Sequence, residues 1–328
     1  MVAEPTILQS RVPPRLAGAT LLGYLLTRFR YQSEAGWSER IGDGRVTVNG
    51  SRAGVDLRVR QGDVVAYAVE LNEPAVDARI EIIHADPVFV VAIKPGQLPS
   101  HADGNFIRNT FIHLLTGMIP PRGEDDALRL VHRLDRETSG LMVVARDKAA
   151  HANLMSQFAA GTVGKEYLAI ARGWVEQDTF EVAGWIGRDP ASAVSVRHAL
   201  FPAAVPGAKS SLTLFTRERD LPGATLLRCV PKTGRTNQIR VHLASIAHPV
   251  VGDKLYGRTD EEFLAFIRHV KAGGDAAYAG HAETPRQMLH AAGLSFAHPV
   301  TGVRLEFSAP VPADFAAYLD AEEGDVLK

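Results

Sequence analysis

The ten residues VHRLDRETSG, which run from Val131 to Gly140, place seven polar or charged side chains between two apolar stretches. ALRL precedes them and LMVVARD follows, and both flanks have the pattern of buried strands. Asp135 lies between Arg133 and Arg136. Nearby cations favour the ionised form of a carboxyl group, and such an Asp can act as a nucleophile or a base. A well-capped turn is the alternative, because Asp, Thr, Ser and Gly are all turn residues.

Two further stretches contain groups that could take part in chemistry. KTGRTNQIRVHLA, residues 232 to 244, is a turn of small and amide residues that enters a predicted helix. Such a turn offers backbone N–H groups to anions, and its arginines and amides can contact phosphates or base edges. In GKEYLAIARG, Lys165 and Tyr167 are two residues apart in a predicted strand, so they point to the same side. By itself, a Tyr in a strand is most often a core residue.

Five motifs, HRLDRETSG, KEYLAIARG, TGRTNQIRVH, GDKLYG and LHAAGLSFAHPVTG, occur in this order. Together they resemble those of the RluA-type pseudouridine synthases, over roughly residues 80 to 310. The resemblance implies an α+β fold with a strand-rich catalytic core of mixed, mostly antiparallel sheet and flanking helices. The irregular succession of strands and helices also favours α+β over a parallel sheet.

The resemblance implies roles for individual residues. Asp135 matches the essential aspartate, and Tyr167 matches the tyrosine that stacks on the flipped base and is placed to take its proton at carbon 5. Arg240 matches the basic residue that pairs with the aspartate, Arg133 would enter the RNA stack that the uridine leaves, and Ile239 would line the uracil pocket. The other residues predicted to contact RNA or substrate are His132, Lys165, Arg235, Thr236, Asn237 and Gln238.

Two positions depart from the family pattern. Asn237 stands where the family often has His, and we interpret it as a variant that keeps a polar group. Ile93, in VVAIKP, stands where Asn is usual, which affects the predicted packing more than the chemistry.

The first block of the chain reads as a separate small domain. Leucines at helical spacing in TLLGYLLTRF predict a helix, WSERIGDG a second one, and RVTVNG a strand that ends in an Asn-Gly turn. This block resembles the αL RNA-binding module of a small-subunit ribosomal protein and of tyrosyl-tRNA synthetases. The resemblance implies RNA contacts through basic residues, here Arg28, Arg30, Arg40 and Arg45. A small α/β domain that docks something else is the alternative.

These patterns predict four regions. They are an αL-type RNA-binding domain at 1–70, a linker at 71–80, a catalytic domain at 81–312 and an acidic C-terminal tail at 313–328.

Composition and charge limit the classes of protein to which the chain can belong. The formal net charge is −1, which is not the basic balance of a general nucleic-acid binder. Between residues 228 and 258, however, the sequence contains six Lys and Arg residues and one Asp. This excess of positive charge predicts a local basic patch or else an ordinary solvated surface. The single cysteine, Cys229, excludes a disulfide within the chain and a Cys-based zinc site. We find no secretory signal pattern and no apolar run of about 20 residues, and we predict a cytoplasmic monomer.

The reaction that the resemblance implies is isomerisation of uridine in structured RNA, ribosomal RNA more than tRNA. It needs no cofactor and no metal, and the sequence contains no standard nucleotide-binding loop and no His-Glu-x-x-His motif. Two alternatives stay open. One is an inactive RNA-binding or ribosome-assembly protein. The other is a glycosidase, which typically uses two carboxylates; Glu137 is the only near neighbour of Asp135 that could be the second.

Overall fold

The computed structural model describes residues 6–29, 32–69, 73–103, 106–123, 126–272, 274 and 283–324. The chain divides into two compact units, Met1–Glu73 and Pro74–Lys328. The predicted linker at 71–80 spans this boundary. Residues 71 and 72 lie outside the described residues, residues 73–80 form no helix or strand, and Ile80 is already buried in the second unit. Among the helices that can be described, none is long and apolar enough to cross a membrane.

The first unit contains two helices and a four-stranded antiparallel sheet. The strands are β1 (Thr6–Arg11), β2 (Val46–Val48), β3 (Ser51–Arg52) and β4 (Val64–Val69), in the order β1-β4-β2-β3. The helices are α1 (Leu21–Arg28) and α2 (Glu34–Gly42), and the side chains of Thr20 and Ser33 cap their first turns. Tyr24, Trp37 and Tyr67 are buried in one aromatic core. Helices α1 and α2 and strand β2 occur in the predicted order, but strand β1, which precedes them and pairs with β4, was not predicted.

The second unit is built on one large sheet. Its described strands are β5 (Glu81–Ala85), β6 (Phe89–Lys94), β7 (Arg129–Leu130), β8 (Ser139–Ala145), β9 (Gly164–Arg172), β10 (Thr179–Arg188), β11 (His198–Phe201), β12 (Lys209–Leu221), β13 (Ala224–Pro231), β14 (Leu289–Ala297) and β15 (Arg304–Ser308). They lie in the order β11-β10-β12-β13-β9-β14-β8-β6-β5, with β15 also on β14 and β7 also on β8. The β14–β8 pair is parallel and the other pairs described are antiparallel, which confirms the predicted mixed sheet.

Five helices flank this sheet in the described part of the second unit. They are α3 (Phe111–Met118), α4 (Lys148–Ala160), α5 (Gln238–Ser245), α6 (Asp260–Lys271) and α7 (Ala313–Gly324). Strand β8 is buried along its whole length, and its alternate residues enter two different cores. Val143 packs in the core that contains Leu154 of α4, and Met142 packs in the core that contains Leu115 of α3. A strand covered on both faces explains the continuous apolar run LMVVA.

The C-terminal region differs from the prediction. Residues 313–324 form helix α7 instead of a separate acidic tail, and residues 325–328 lie outside the described part. Phe315 is fully buried in a core of the second unit, with Tyr318 and Leu319 packed against the same core. These three residues have the i, i+3, i+4 spacing of a helix face. The acidic composition of this region concealed that apolar face.

Glycine is required at position 140, where the polar loop enters β8. Gly140 has a φ of 118°, and a Cβ atom added there would lie 2.2 Å from the carbonyl oxygen of Ala291 on β14. We expect Gly140→Ala to lower the free energy of unfolding by about 2–4 kcal/mol, through backbone strain and overlap with a paired strand. Gly117→Ala is the control, because a Cβ atom on this residue of α3 would meet open space. Urea unfolding curves that coincide for both variants would contradict this expectation.

Candidate active site

The polar loop at 131–138 runs from β7 into β8. Two buried side chains hold its backbone, that of Lys94 at the end of β6 and that of Ser100 in the segment after β6. The hydroxyl of Ser100 donates to the carbonyl oxygen of Leu134 (2.6 Å) and accepts from its N–H (3.1 Å). The ammonium group of Lys94 donates to the carbonyl oxygen of Arg136 (3.1 Å) and to those of Pro95 and Leu98. Both residues adjacent to Asp135 are therefore anchored through their carbonyl groups.

The C-terminal half of the loop is held from another direction. Glu137 accepts a hydrogen bond from the ammonium group of Lys254 (2.8 Å) and one from the backbone N–H of Gln287 (3.0 Å). Just after the loop, Oγ of Ser139, the first residue of β8, lies 2.9 Å from Nδ1 of His290, which is buried in β14. Side chains that are locked in this way keep a reactive group in place before substrate binds.

Asp135 forms an ion pair with Arg240, the third residue of α5. Nη1 of Arg240 lies 2.8 Å from Oδ2 of Asp135, and the two side chains are 11% and 29% exposed. Nη1 also donates to Oδ1 of Asn237 (3.1 Å). Burial alone would lower the pKa of Arg240, but the charges of Asp253 and Asp135 outweigh it and raise that pKa well above its usual range. The pair expected from the sequence is therefore present, with its cation permanently charged.

Asn237 is the residue that differs from the usual family pattern. It has a φ of 56°, a region of backbone conformation in which both Asn and His are enriched among non-glycine residues. Its amide also donates to the hydroxyl of Tyr256 (3.1 Å). Asn therefore suits both the backbone and the polar contacts at this position.

The ion pair lies in the wall of a cavity of about 520 Å³. Tyr167 of β9, Ile239 of α5 and Leu289 of β14 form an apolar part of the same wall. Burial, followed by the charge of Asp135, raises the pKa of Tyr167, so its phenol stays protonated at neutral pH. The carboxyl group of Asp135, a cation, a tyrosine ring and an apolar surface thus face one space that is large enough for a nucleoside.

Cationic and polar residues form another part of the cavity lining. Lys165 donates to the carbonyl oxygen of Thr233 (2.9 Å), and burial, followed by the charge of Arg235, lowers its pKa. Arg235 donates through Nε to the carbonyl oxygen of Ser210 (2.8 Å). Arg133, Lys232 and Thr236 are the exposed polar side chains of the cavity lining. This part of the lining can meet phosphate groups.

Two residues that the sequence predicted to contact RNA or substrate also have contacts within the protein. His132 accepts the backbone N–H of Val143 at Nε2 (3.0 Å) and stacks on Phe158, and burial, followed by the charge of Lys165, lowers its pKa to about 4. Gln238 is buried, donates to Leu212 and Thr213, and accepts from Thr233 and Arg235. Both line the cavity, and their contacts to the protein connect parts of its wall.

The four predicted basic residues of the first unit have different environments. Arg28 and Arg45 are exposed, although Arg45 lies 3.5 Å from a carboxylate oxygen of Asp43. Arg40 donates to the carbonyl oxygen of Ala68 (2.8 Å), which gives it a role in the fold. Arg30 lies outside the described residues. RNA binding by this unit stays a prediction.

The basic run at 228–258 is largely paired with acidic residues elsewhere in the chain. Arg228 forms ion pairs with Glu166 and Glu218, and Lys254 with Glu137. Arg240 is paired with Asp135 and Asp253. Besides the paired Arg240, the cations of this run that line the cavity are Lys232 and Arg235. At the cavity, the predicted basic patch therefore consists of these two residues beside the paired arginine.

Sequence reasoning assigned no role to three buried charged or polar residues around the site, Lys94, Ser100 and Asp253. A lysine inside the apolar run VVAIKP and an aspartate inside the motif GDKLYG are the signals that could have drawn attention to two of them. Ser100 offered no such signal. Within the described ranges, no group of three or more His, Cys, Asp or Glu side chains could hold a metal ion.

Comparison with known proteins gives the family. The family model described as RNA pseudouridylate synthase matches residues 88–245, which contain Asp135, Tyr167 and Arg240. A ribosomal large subunit pseudouridine synthase D of Nitrosomonas europaea is 34% identical over 319 residues, covering 94% of this chain and 86% of that protein. The protein of the same name from Escherichia coli O157:H7 is 31% identical over 329 residues, covering 99% and 97%.

A solved structure agrees with these relatives. Human RNA pseudouridylate synthase domain containing 1 superposes with a TM-score of 0.56 at 26% identity, covering 76% of this chain and 97% of that one. With the extent of the sequence matches and the shared α+β fold, this shows that the chain belongs to the RNA pseudouridylate synthase family and is an isomerase.

Proposed function

We propose that this pseudouridine synthase modifies uridine in large-subunit ribosomal RNA, with Asp135, Tyr167 and Arg240 as its catalytic residues. The names of the relatives from Nitrosomonas europaea and Escherichia coli support the choice of RNA. The observation that carries the assignment of residues is the Asp135–Arg240 ion pair, with 2.8 Å between Oδ2 and Nη1, beside Tyr167 in one cavity.

The reaction breaks the bond between uracil N1 and the ribose C1′ carbon and rejoins the ring to C1′ through C5. In our proposal, the carboxylate of Asp135 acts at the sugar while Arg240 orients it. Tyr167 would stack on the uracil. The bond from N1 to C1′ is replaced by one from C5 to C1′, C5 gives up its proton to solvent after the ring has reattached, and N1 takes up a proton, so the atoms balance without a redox partner.

A uridine within structured RNA must leave its stack before Asp135 can reach it, at a cost of a few kcal/mol. We propose that exposed Arg133, at the edge of the cavity, fills the vacated place. Lys165, Lys232 and Arg235 would meet neighbouring phosphates, and Arg28 and Arg45 of the first unit would add further contacts to RNA. Each of these contacts helps to offset the cost of flipping.

The structure gives a reason to prefer isomerisation over glycoside hydrolysis. A glycosidase typically needs two carboxylates across the scissile bond. Glu137, the candidate for the second one, uses both carboxylate oxygens in contacts with Lys254 and Gln287. An inactive RNA-binding protein loses its support, because Asp135, Tyr167 and Arg240 are all retained and line one cavity.

We further propose that the protein works as a cytoplasmic monomer without metal or cofactor. Its one cysteine, Cys229, is a buried free thiol, which suits a reducing compartment.

Tritium release tests this function. Large-subunit ribosomal RNA and tRNA, each labelled with [5-³H]uridine, are incubated with the purified chain. We expect tritium release from the ribosomal RNA, because C5 exchanges its hydrogen for a bond to carbon, and pseudouridine without free uracil in the digested product. Release from tRNA alone would overturn the proposed substrate, and free uracil would overturn the proposed role of the site.

A further inference from the structure

Asp253 is a buried carboxylate that does not line the cavity but touches the residue that holds Asp135. It is fully buried, and Arg240 reaches it with two nitrogens, Nε to Oδ2 at 2.6 Å and Nη2 to Oδ1 at 2.9 Å. The backbone N–H groups of Leu255 and Tyr256 also donate to Oδ1, at 2.8 and 2.9 Å. Burial alone would raise the pKa of Asp253, but the charge and hydrogen bonds of Arg240 and these N–H groups lower it.

This arrangement fixes the direction of Arg240. A two-point contact between a guanidinium and a carboxylate sets the plane of the guanidinium as well as its position. With Nε and Nη2 on Asp253, Nη1 is the nitrogen that remains for Asp135 and Asn237. The ring of Tyr256 lies 5.0 Å from the guanidinium carbon and covers a further side. The guanidinium is therefore oriented by a fully buried support.

The adjacent residue supports the other member of the pair. Lys254, next to Asp253 in the chain, donates to Glu137, which is two residues from Asp135. One buried dipeptide thus contacts the helix residue Arg240 on one side and the loop of Asp135 on the other. The carboxylate of Asp253 is paired with Arg240, and the ammonium group of Lys254 is paired with Glu137 in the loop of Asp135.

We infer that Asp253 is a positioning residue for the reaction, which orients Arg240 so that Nη1 meets the reacting carboxylate. This inference rests on the proposed function of Asp135. Asp253 contacts neither the uridine nor the cavity, so its effect passes through Arg240. Its loss should reduce turnover without reducing the affinity for RNA.

Two variants of Asp253 test the inference in the full chain. In Asp253→Asn, an amide group faces the N–H groups of Arg240, so the two-point contact breaks. In Asp253→Glu the charge remains, but the longer side chain displaces the guanidinium by about one ångström, a shift that can cost up to about a hundredfold in rate. We expect kcat for tritium release to fall about 10- to 100-fold in both, with KM for the RNA within about twofold of the wild-type value.

Asp126→Asn is the matched control. Asp126 forms the same two-point contact with buried Arg146, at 3.0 and 2.6 Å, beyond the end of β8 opposite to the polar loop. We expect this variant to lose stability and to keep its kcat per folded molecule. Equal losses of kcat in the Asp126 and Asp253 variants would show a merely structural role, and an unchanged kcat or a raised KM in the Asp253 variants would also overturn the inference.

A readout without catalysis separates this inference from the proposed function. Asp253 and Asp135 share Arg240, so their Asn substitutions should be coupled in urea unfolding. If the two sites were independent, the double variant would change the unfolding constant by the product of the two single changes. We expect its measured unfolding constant to differ from that value by at least about fivefold. Additive effects would overturn the inference even if the wild-type chain is active. An inactive wild-type chain with a coupled pair would overturn the proposed function alone.

Discussion

Asp135→Asn is expected to lower the rate of uridine isomerisation by at least about a thousandfold, because the amide cannot act at the sugar as the carboxylate does. The substitution preserves the shape of the side chain and leaves an oxygen for Nη1 of Arg240, so the fold should be retained. Tritium release from saturating RNA gives the rate. The dissociation constant for the same RNA, measured by filter binding, should stay within about twofold of the wild-type value, since Arg133 and the cations of the cavity are unchanged.

The control for this variant is Asp178→Asn. Asp178 is 83% exposed, just before β10, and it forms an ion pair with Arg217 instead of contacting the cavity. It should retain full activity. An Asp135→Asn protein that keeps more than about a tenth of wild-type activity would contradict the assignment, since loss of an essential reacting group costs far more than tenfold.

Arg240→Met is expected to be the most destabilising of the site substitutions. It removes the partner of Asp253 and leaves a carboxylate without its counter-ion in a fully buried place. Breaking a buried ion pair by removing one partner costs about 3–5 kcal/mol. Urea unfolding at pH 7 measures the loss.

The pH dependence of that loss has a defined sign. In the wild-type chain the pKa of Asp253 is lowered below 3.8, so its contribution to stability is present at neutral pH and is lost as the pH falls through the lowered value. In Arg240→Met, burial acts on Asp253 without the arginine and raises its pKa. The variant should therefore gain stability relative to wild type as the pH falls from 7 towards 4.

A second substitution tests whether the unpaired charge of Asp253 causes this loss of stability. Adding Asp253→Asn to Arg240→Met removes the unpaired charge and should restore about half or more of the lost stability, because an unpaired buried charge costs more than a neutral amide. An Arg240→Met protein that unfolds at the wild-type urea concentration at pH 7, or whose loss of stability does not shrink as the pH falls towards 4, would contradict this expectation.

Local patterns in the sequence were sufficient to predict many of the strands and helices. Strand β8 and helix α5 were predicted from apolar periodicity and turn residues, which act over a few neighbouring positions. The stretch ALRL forms only the two-residue strand β7, since β7 pairs with just the end of β8. Helix α7 was missed because net charge was given more weight than the spacing of Phe315, Tyr318 and Leu319.

The side-chain contacts of the site were harder to predict, because they join residues that are far apart in the chain. The sequence motifs proposed the Asp135–Arg240 pair, whose members are 105 positions apart. They gave no indication that Lys254 would reach Glu137, 117 positions away, or that Gln238 would use its amide within the protein. Counting charges along the chain could not show these pairs, because a cation is neutralised by whichever carboxylate the fold brings near it.

The most direct test of the central claim is a map of pseudouridine in RNA from cells that lack this gene, restored with the wild-type chain or with Asp135→Ala. Carbodiimide-dependent stops in reverse transcription locate the modified positions. We predict a position in large-subunit ribosomal RNA that loses its pseudouridine in the deletion strain, regains it with the wild-type chain and does not regain it with Asp135→Ala. Restoration by Asp135→Ala, or a map that the deletion leaves unchanged, would contradict the account.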